Sequence, residues 1–311
     1  MRWHWGTRWS ACVRVTGGFL GLALALWFGT GCCRLDVRMT AQEDKVYRLD
    51  VGPAGIVELC TAHGSIEARS EPRADLLVKV HLRAQGVTQD EADQRLALSR
   101  VEGRTTALGA VVHVELASRG GREDLSGAIE ALVPSGAALR LAATGGGVRV
   151  VDVRAPIDLE ASGGSIHVRR VAGTVQVRTI DAEVVGEELA LTGPDGMSQF
   201  EITRGRVQLD LSELEHPVQI EASGAPVGLI LPATADCMLD LETADGVILI
   251  GLGDLIGTER VYGKRVRHRI GGGRVPIAVR SSKGDIIVRQ RSAAEEGGTM
   301  GVETGHLPTR L

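Results

Sequence analysis

The chain has 311 residues, enough for one large or two modest domains, and a formal net charge of −4 at pH 7. Between Met1 and Gly31 it contains three arginines and no acidic residue, so the remainder is more negative than the whole; this argues against nucleic acid as a partner. All four tryptophans and two of the three phenylalanines lie between Met1 and Phe28. The body keeps only Tyr47, Phe200 and Tyr262 as aromatic residues and therefore lacks the flat platforms on which bases or sugars usually stack.

The N-terminus has the pattern of an export signal. Its arginines precede the apolar run "VTGGFLGLALALWFGTGCC" at 15–33, and small residues follow the apolar core, as in a secretory signal peptide. The segment "FGTGC" resembles the lipobox of bacterial lipoproteins, which implies a signal peptide at 1–31 and a lipid on Cys32. A lipidated Cys32 would hold the exported chain in the cell envelope, at the outer membrane or facing the periplasm.

Two alternatives to lipidation stay open. Gly29 stands where the lipobox usually has leucine or a similar apolar residue. The run from Val15 to Cys33 is just long enough to span a membrane as an uncleaved anchor, and plain secretion is the other alternative. After the apolar run the chain is polar to Arg48, so residues 32–48 are predicted to form a short tether.

The body repeats one short motif: a small residue, two variable residues, usually glycine, one further residue, then valine or isoleucine. The clear copies are Thr61–Ile66, Ala143–Val148, Ala161–Ile166, Thr179–Val184, Thr243–Ile248 and Ser281–Ile286. Segments such as "IDLEA" and "IHVRRV" flank the turns, and their alternation predicts strands with one buried face. Glycine at the turn allows a positive φ or a close backbone approach.

A repeat of this size cannot bury its apolar face alone and must stack on its neighbours. Gly146, Gly164 and Ala182 occupy the same motif position in consecutive, equally spaced copies. The sequence therefore predicts an all-β domain over 49–291, a single-stranded right-handed β-solenoid or β-helix-like stack of short strands.

One segment departs from the β pattern. In "VTQDEADQRLALSRVEG" Thr88 and Glu91 form a capping-box signature, and Ala92, Leu96 and Val101 follow at roughly helical spacing. The pattern predicts one amphipathic helix at about 88–101 that caps a sheet edge or an end of the stack. Residues 292–311 have no apolar period and are predicted to be disordered.

The ordered turns, the strand end "LVP" at Leu132–Pro134 and the closing "IAVRSSKGDIIV" at Ile277–Val288 resemble the bacterial putative-adhesin family. The resemblance covers most of Val51 to Gln290. It implies a short β-solenoid with an adhesin-like or scaffold role, and it carries over no catalytic set and no cofactor.

The two cysteines of the body are assigned by register. Cys60 falls on the outer face, in the positions of Glu160 and Glu242, whereas Cys237 is in phase with Leu239 and points inward. A disulfide needs close, facing Cβ atoms, so a Cys60–Cys237 bridge is not expected. The prediction is one surface thiol and one small buried side chain.

Nucleophilic and metal chemistry find little support. Ser165 and His167 share the outer face of one strand, and His63 and Ser65 flank another turn, but no G-x-S-x-G elbow with a strand–turn–helix context accompanies them. The eight histidines are scattered, without C-x-x-C or H-E-x-x-H, so no metal and no cofactor are predicted.

The outward acids Glu160, Glu221 and Glu242 are predicted to form a ladder of like charge. Paired carboxylates of this kind could serve a polysaccharide-cleaving β-helix enzyme. More often such a ladder keeps a face soluble and blocks edge pairing.

The segment "ERVYGKRVRHRIGGGR" concentrates basic residues, among them Lys264, Arg265, Arg267 and Arg269. One interpretation is a protruding loop that contacts anionic polymers or lipid phosphates. The other, typical of charge runs, is a solvated hairpin that leads into the final strand pair.

The sequence as a whole predicts a non-enzymatic envelope lipoprotein with an adhesin-like or scaffold role. Its expected partners are the membrane, through the lipid anchor, and envelope polymers or a protein. Two alternatives remain: an envelope-stress or signalling accessory that binds a protein partner, and a polysaccharide-acting β-helix enzyme.

Overall fold

The computed structural model describes residues 38–52, 55–116, 125–193, 196–251, 259–261 and 264–292. All of these residues belong to one compact unit, Val37–Leu311. The predicted signal peptide, the lipid-attachment residue Cys32 and the tail from 293 onward lie outside the described residues.

The described residues form twenty strands and one helix, which confirms the all-β class with a single helix. The elements that precede the consecutive, equally spaced turns are β1 (Met39–Asp50), β2 (Ile56–Ala62), β3 (Ile66–Glu71), β4 (Asp75–Gly86), α1 (Gln89–Ala97), β5 (Arg100–Thr106), β6 (Gly109–Glu115) and β7 (Leu125–Pro134).

The remaining strands carry most of the repeated turns. They are β8 (Ala138–Thr144), β9 (Val148–Val151), β10 (Ile157–Arg169), β11 (Val175–Leu191), β12 (Ser198–Leu214), β13 (Val218–Ser223), β14 (Val227–Leu231), β15 (Cys237–Thr243), β16 (Ile248–Gly251), β17 (Glu259–Val261), β18 (Arg265–Ile270), β19 (Val275–Ser281) and β20 (Ile286–Gln290).

Neighbouring strands pair in parallel and in register and form two ladders. The repeated turn is the corner at which the chain passes from the first ladder to the second. The first ladder, before the corner, runs in the order β6–β2–β8–β10–β11–β12–β13–β19–β15. The second ladder, after the corner, runs β7–β3–β9–β10–β11–β12–β14–β20–β16. Strands β10, β11 and β12 are long because each continues through the corner and belongs to both ladders.

Antiparallel strands close the ladders at their ends. At one end β5 pairs with β6, and β4 pairs with both β7 and β1. At the other end β18 pairs with β15 and β17 with β16. Helix α1 packs against β4 and β1, so it lies at the end of the second ladder, as predicted for a capping helix.

The order of strands in the ladders differs from their order in the chain. The pair β19–β20, the last described strands, lies between β13–β14 on one side and β15–β16 on the other. The first such pair, β2–β3, likewise lies between β6–β7 and β8–β9. Each of these two pairs therefore lies between strands that are distant from it in the sequence.

The core consists of inward side chains stacked in columns from strand to strand. One column aligns Leu141, Leu159, Val177, Phe200 and Ile220, which are paired in register on β8, β10, β11, β12 and β13. All five are 2% exposed or less. The core is therefore aliphatic and nearly free of aromatic side chains, as follows from the three aromatic residues that the body contains.

Two predicted boundaries are wrong. Residues 39–48, predicted as tether, belong to β1, which pairs along its whole length with β4. Most β1 side chains are exposed or half-buried, so the segment lacks the apolar alternation that marks an inner strand. The helix, predicted to reach residue 101, ends at Ala97, and residues 100–106 form β5.

The start of the helix follows the predicted capping box. The backbone N–H of Glu91 donates to Thr88 Oγ1 at 3.2 Å, and Glu91 Oε2 accepts from the backbone N–H of Val87 at 2.8 Å. Ala92 is fully buried. Val101 contacts the core from β5 rather than from the helix.

Candidate functional site

The corner explains the repeated motif. The first motif residue points inward and is small. In three of the four copies that begin with threonine or serine, its hydroxyl donates to a carbonyl of the neighbouring corner, as Thr61 Oγ1 does to Gly127 O at 2.7 Å and Thr243 Oγ1 to Gly284 O at 3.0 Å. In the first four copies the third residue adopts a left-handed φ, 58° at His63. The fourth is glycine in every clear copy except the one that has Ala182, and at Gly64 and Gly146 the backbone of the adjacent corner lies too close for a side chain.

Beside the corner, the outer face of the first ladder carries two contiguous grooves of about 510 and 450 Å³ that are open to solvent. They share Glu201 and Thr203 and together extend from β8 to β15. We call this surface the outer trough. Its floor is a row of charged side chains, one on each strand after β8, in the order Glu160, Arg178, Glu201, Glu221, Arg280 and Glu242; the β8 position of the row is Ala142.

The prediction of a like-charge ladder is wrong. Arginines interleave with the glutamates: Arg178 Nε lies 3.6 Å from Glu201 Oε2, and Arg280 Nη1 lies 3.9 Å from Glu221 Oε1. The sequence contains this signal, since "VQVRT" and "IAVRS" place arginine at the position where Glu160, Glu221 and Glu242 stand in their repeats. The outer face is therefore a mixed-charge surface on which only part of the acidic charge is compensated.

The two central carboxylates are held by their own strands. Gln199 Nε2 donates to Glu201 Oε1 at 2.6 Å, and Gln219 Nε2 donates to Glu221 Oε1 at 2.7 Å. Glu201 and Glu221 are register partners on β12 and β13, so they lie side by side. Sequence reasoning named Glu221 but missed Glu201 and both glutamines.

A second row of side chains lies one step nearer the corner and consists largely of hydroxyls. The exposed members are Thr144, Ser162, Thr203, Ser223 and Ser282. Ser282 Oγ donates to Ser223 Oγ at 3.3 Å, which links the residue after β19 to the end of β13. Ile180 occupies the β11 position of this row and is 51% exposed.

The predicted serine and histidine residues lie on the other ladder. A smaller groove of about 280 Å³ contains Ser65, Ser165 and His167, together with Glu67 and Arg149. Ser165 and His167 lie on one outer face, as their spacing predicts, but within the part of the chain that is described no hydrogen bond joins them. In the same part, no group of three or more His, Cys, Asp or Glu side chains is arranged around a metal position.

The basic segment is not a protruding loop. Residues 265–270 form β18, which pairs with β15 at the end of the first ladder. Arg265 donates to both carboxylate oxygens of Asp240, at 2.9 and 2.6 Å, and Arg267 Nε lies 3.6 Å from the same carboxylate. The Arg265 hydrogen bonds hold the pKa of Asp240 below its usual value.

This arrangement gives the basic strand a structural role. Arg265, Arg267 and Arg269 share the outer face of β18, and Lys264 precedes them, also exposed. Charged side chains on an edge strand oppose edge-to-edge pairing with another sheet. The predicted anion-contact residues are thus placed together, but Asp240 already pairs with two of them.

The cysteines lie where the register predicts. Cys60 is half-buried on β2 and Cys237 is fully buried on β15, and both thiols are free. Burial raises the pKa of Cys60, and it raises the pKa of Cys237 to about 11. Since only the thiolate is nucleophilic, Cys237 should stay inert in the folded protein.

Alkylation with iodoacetamide at pH 8 tests this prediction. Cys60 should react more slowly than a free cysteine, and Cys237 should react only after denaturation in urea. Mass spectrometry of tryptic peptides reads out both sites. Modification of Cys237 in the native protein, or recovery of a Cys60–Cys237 linked peptide, would contradict the register.

The structure also contains a buried serine–histidine pair that the sequence reasoning did not single out. Ser198 Oγ lies 2.8 Å from His216 Nε2 and accepts from the backbone N–H of Val175 at 3.0 Å. Both residues are at most 2% exposed. The pair therefore joins β11 and β12 to the segment before β13 inside the core, out of reach of a substrate.

Burial lowers the pKa of His216, against the opposing effects of the Thr192 backbone and Glu215. The unfolded chain binds the proton first as the pH falls, so the free energy of unfolding should decrease from about pH 6.5 downward, by at most about 1.4 kcal/mol per pH unit. Urea titrations at pH 7.5, 6.5 and 5.5 should show this slope, and His216→Gln should flatten it. An identical slope in the variant would assign the effect to other groups.

Comparison with known proteins gives distant structural matches alone. No protein-family model matches the chain, and no curated protein matches it significantly. A "putative cell adhesion protein" from Clostridium sporogenes is 8% identical, with 80% of this chain and 100% of that chain covered and a TM-score of 0.36. A "putative adhesin" from Bacteroides fragilis is 10% identical over 80% and 97% of the chains (TM-score 0.39), and one from Parabacteroides merdae is 8% identical over 80% and 95% (TM-score 0.34).

These neighbours carry the adhesin name at low identity, and no family model supports the predicted membership. As for membrane crossing, no helix among the described residues has the length and apolarity that a span requires. The apolar run at 15–33 lies outside those residues.

Proposed function

We propose that this chain is an exported, lipid-anchored binding protein of the adhesin-like type, and that the outer trough is its contact surface. One observation carries the proposal: the trough is continuous across the neighbouring strands β8 to β15 and open to solvent. An extended polar surface on a rigid ladder suits recognition of an extended partner, whereas small-molecule sites are usually concave and largely enclosed. The export signal and Cys32 supply the compartment in this proposal.

We also propose that strands β8 to β14 wind as a single-stranded right-handed solenoid of the putative-adhesin type. The equal spacing in sequence of the corners at Gly146, Gly164 and Ala182 supports this. So does the parallel pairing of β8, β10 and β11, in which equivalent residues of the repeats are register partners. The antiparallel strands at both ends depart from a pure coil and act as its end pieces.

The role is proposed to be non-enzymatic. The two central acids of the trough are engaged in pairing: an arginine lies near Glu201 and near Glu221, and a glutamine binds each of them. The expected partners are the membrane, through the lipid on Cys32, and an envelope polymer at the trough.

The test is mass spectrometry of the mature N-terminus, combined with labelling of intact cells by a membrane-impermeant amine reagent. The proposal expects an acylated Cys32 as the first residue and labelling of the body. Cys32→Ala should abolish acylation, whereas the matched variant Cys33→Ala should retain it. An uncleaved Met1 terminus would contradict the lipoprotein, and an acylated but unlabelled body would favour a periplasmic accessory.

A further inference from the structure

We propose that the outer trough binds a glycan strand that carries free hydroxyl and ammonium groups and lies across the β-strands, along the stacking direction. This inference rests on the proposed function, because it names the ligand class of the same surface. It follows from the charge, the spacing and the rigidity of the side chains that line the trough.

The first observation is an excess of negative charge. The charged row holds four carboxylates, at Glu160, Glu201, Glu221 and Glu242, against two guanidinium groups, at Arg178 and Arg280. An anionic polymer would meet net repulsion along this row, whereas ammonium groups would meet carboxylates at several strands. Charge complementarity therefore favours an amino sugar over a uronic acid.

The second observation is periodicity. Parallel neighbours in a sheet lie about 4.8 Å apart, so the trough presents one charged group and, on most strands, one hydroxyl at that interval. Hydroxyls at Ser162, Thr203 and Ser223 can each donate and accept. A polymer whose units repeat a hydroxyl and an amine at similar spacing could bond every rung in turn.

The third observation is rigidity. Gln199 and Gln219 each bind one oxygen of their glutamate at 2.6 and 2.7 Å and so fix the carboxylates in orientation. A carboxylate accepts at both oxygens, so Glu201 and Glu221 keep acceptor capacity for a ligand. Fixed groups lose little conformational entropy on binding.

The fourth observation concerns the apolar side of a sugar ring. Ile180 lines the trough between Ser162 and Thr203 and exposes 51% of its surface. An aliphatic side chain can contact the C–H face of a pyranose, although less strongly than an aromatic ring. This apolar contact occurs on one strand, β11, and adds to the polar contacts that the neighbouring strands offer.

Isothermal titration of the full chain with three hexasaccharides tests the inference: β-1,4-linked glucosamine, N-acetylglucosamine and a uronic acid. Glucosamine should bind tightest, N-acetylglucosamine about tenfold more weakly, and the uronic acid not measurably; added salt should weaken glucosamine binding. Glu201→Gln combined with Glu221→Gln should reduce glucosamine affinity at least about tenfold. The matched control Glu183→Gln, an exposed change on the second ladder, should stay within about twofold.

Several outcomes would overturn the ligand class: equal or tighter binding of the uronic acid, equal binding of the N-acetylated oligomer, no binding of any oligomer, or unchanged affinity in the double variant. Circular dichroism of the double variant checks that it is folded, and Thr203→Val gives an independent measure of the hydroxyl row. Acylation of Cys32 and cell-surface labelling are measured in separate experiments, so both can give the expected result while the titrations show no glycan binding. In that case the proposed function stands and only the ligand class is wrong.

Discussion

Replacing Phe200 by alanine should lower the free energy of unfolding by about 3–5 kcal/mol. Phe200 is 1% exposed, and it lies between Val177 and Ile220 in the central core column. It is the largest fully buried side chain described. Because its neighbours belong to paired strands on both sides, the backbone can collapse only partly into the cavity.

Urea denaturation followed by circular dichroism measures this change, with a check that the transition remains two-state. Phe200→Leu is the matched control and should cost clearly less, since it retains most of the apolar volume. A loss below about 1 kcal/mol in Phe200→Ala would mean that the column is loosely packed.

Replacing Gly146 by alanine should cost about 2–3 kcal/mol. A Cβ at this position would lie 2.0 Å from the carbonyl oxygen of Gly64 in the adjacent corner. The obstacle is backbone, so no rotamer change can relieve it, and β8–β9 would have to move away from β2–β3. The destabilisation should therefore come with weaker protection of amide hydrogens on both pairs.

Gly251→Ala is the control for the loss of glycine itself. No heavy atom lies within 4 Å of the position its Cβ would occupy, so the change should stay within about 0.5 kcal/mol. Similar costs at Gly146 and Gly251 would show that close approach of the corners is not what selects glycine.

The parts of the fold that the sequence predicts are those encoded within one repeat. Alternation in "IDLEA" places Leu159 inward and Glu160 outward, and the structure agrees. Cys60 and Cys237 fall on the predicted faces for the same reason. Thr88 is recognisable as a helix cap because its partner, Glu91, is only one helical turn away.

What the sequence does not predict depends on contacts between distant segments. Strand β1 is polar on its surface and is specified by pairing with β4 rather than by its own pattern. The placement of β19 between β13 and β15 leaves no local trace, because every inner strand shows the same alternation. The helix ends early because Arg100 and Val101 pair with β6, a contact that overrides helical spacing.

The candidate site is predictable in part. The position that forms the charged row is visible in the turn alignment, since Glu160, Glu221 and Glu242 precede equivalent turns. Arg178 and Arg280 stand at the same position of the alignment, but the location of Arg280 between Glu221 and Glu242 is not visible there, because it depends on the insertion of β19 between β13 and β15. The bonds from Gln199 and Gln219 depend on side-chain geometry that a register cannot supply.

The interior position of β19–β20 bears on how the molecule matures. Strands β15 and β16 are made before their parallel partners exist, since those partners are the last described strands of the chain. A polypeptide threaded N-terminus first through an export channel would hold β15 and β16 without these partners until the final segment had crossed. Secretion of a full-length chain would then be a precondition for a protease-resistant product, and a stop codon near 274 would leave a species that quality-control proteases remove.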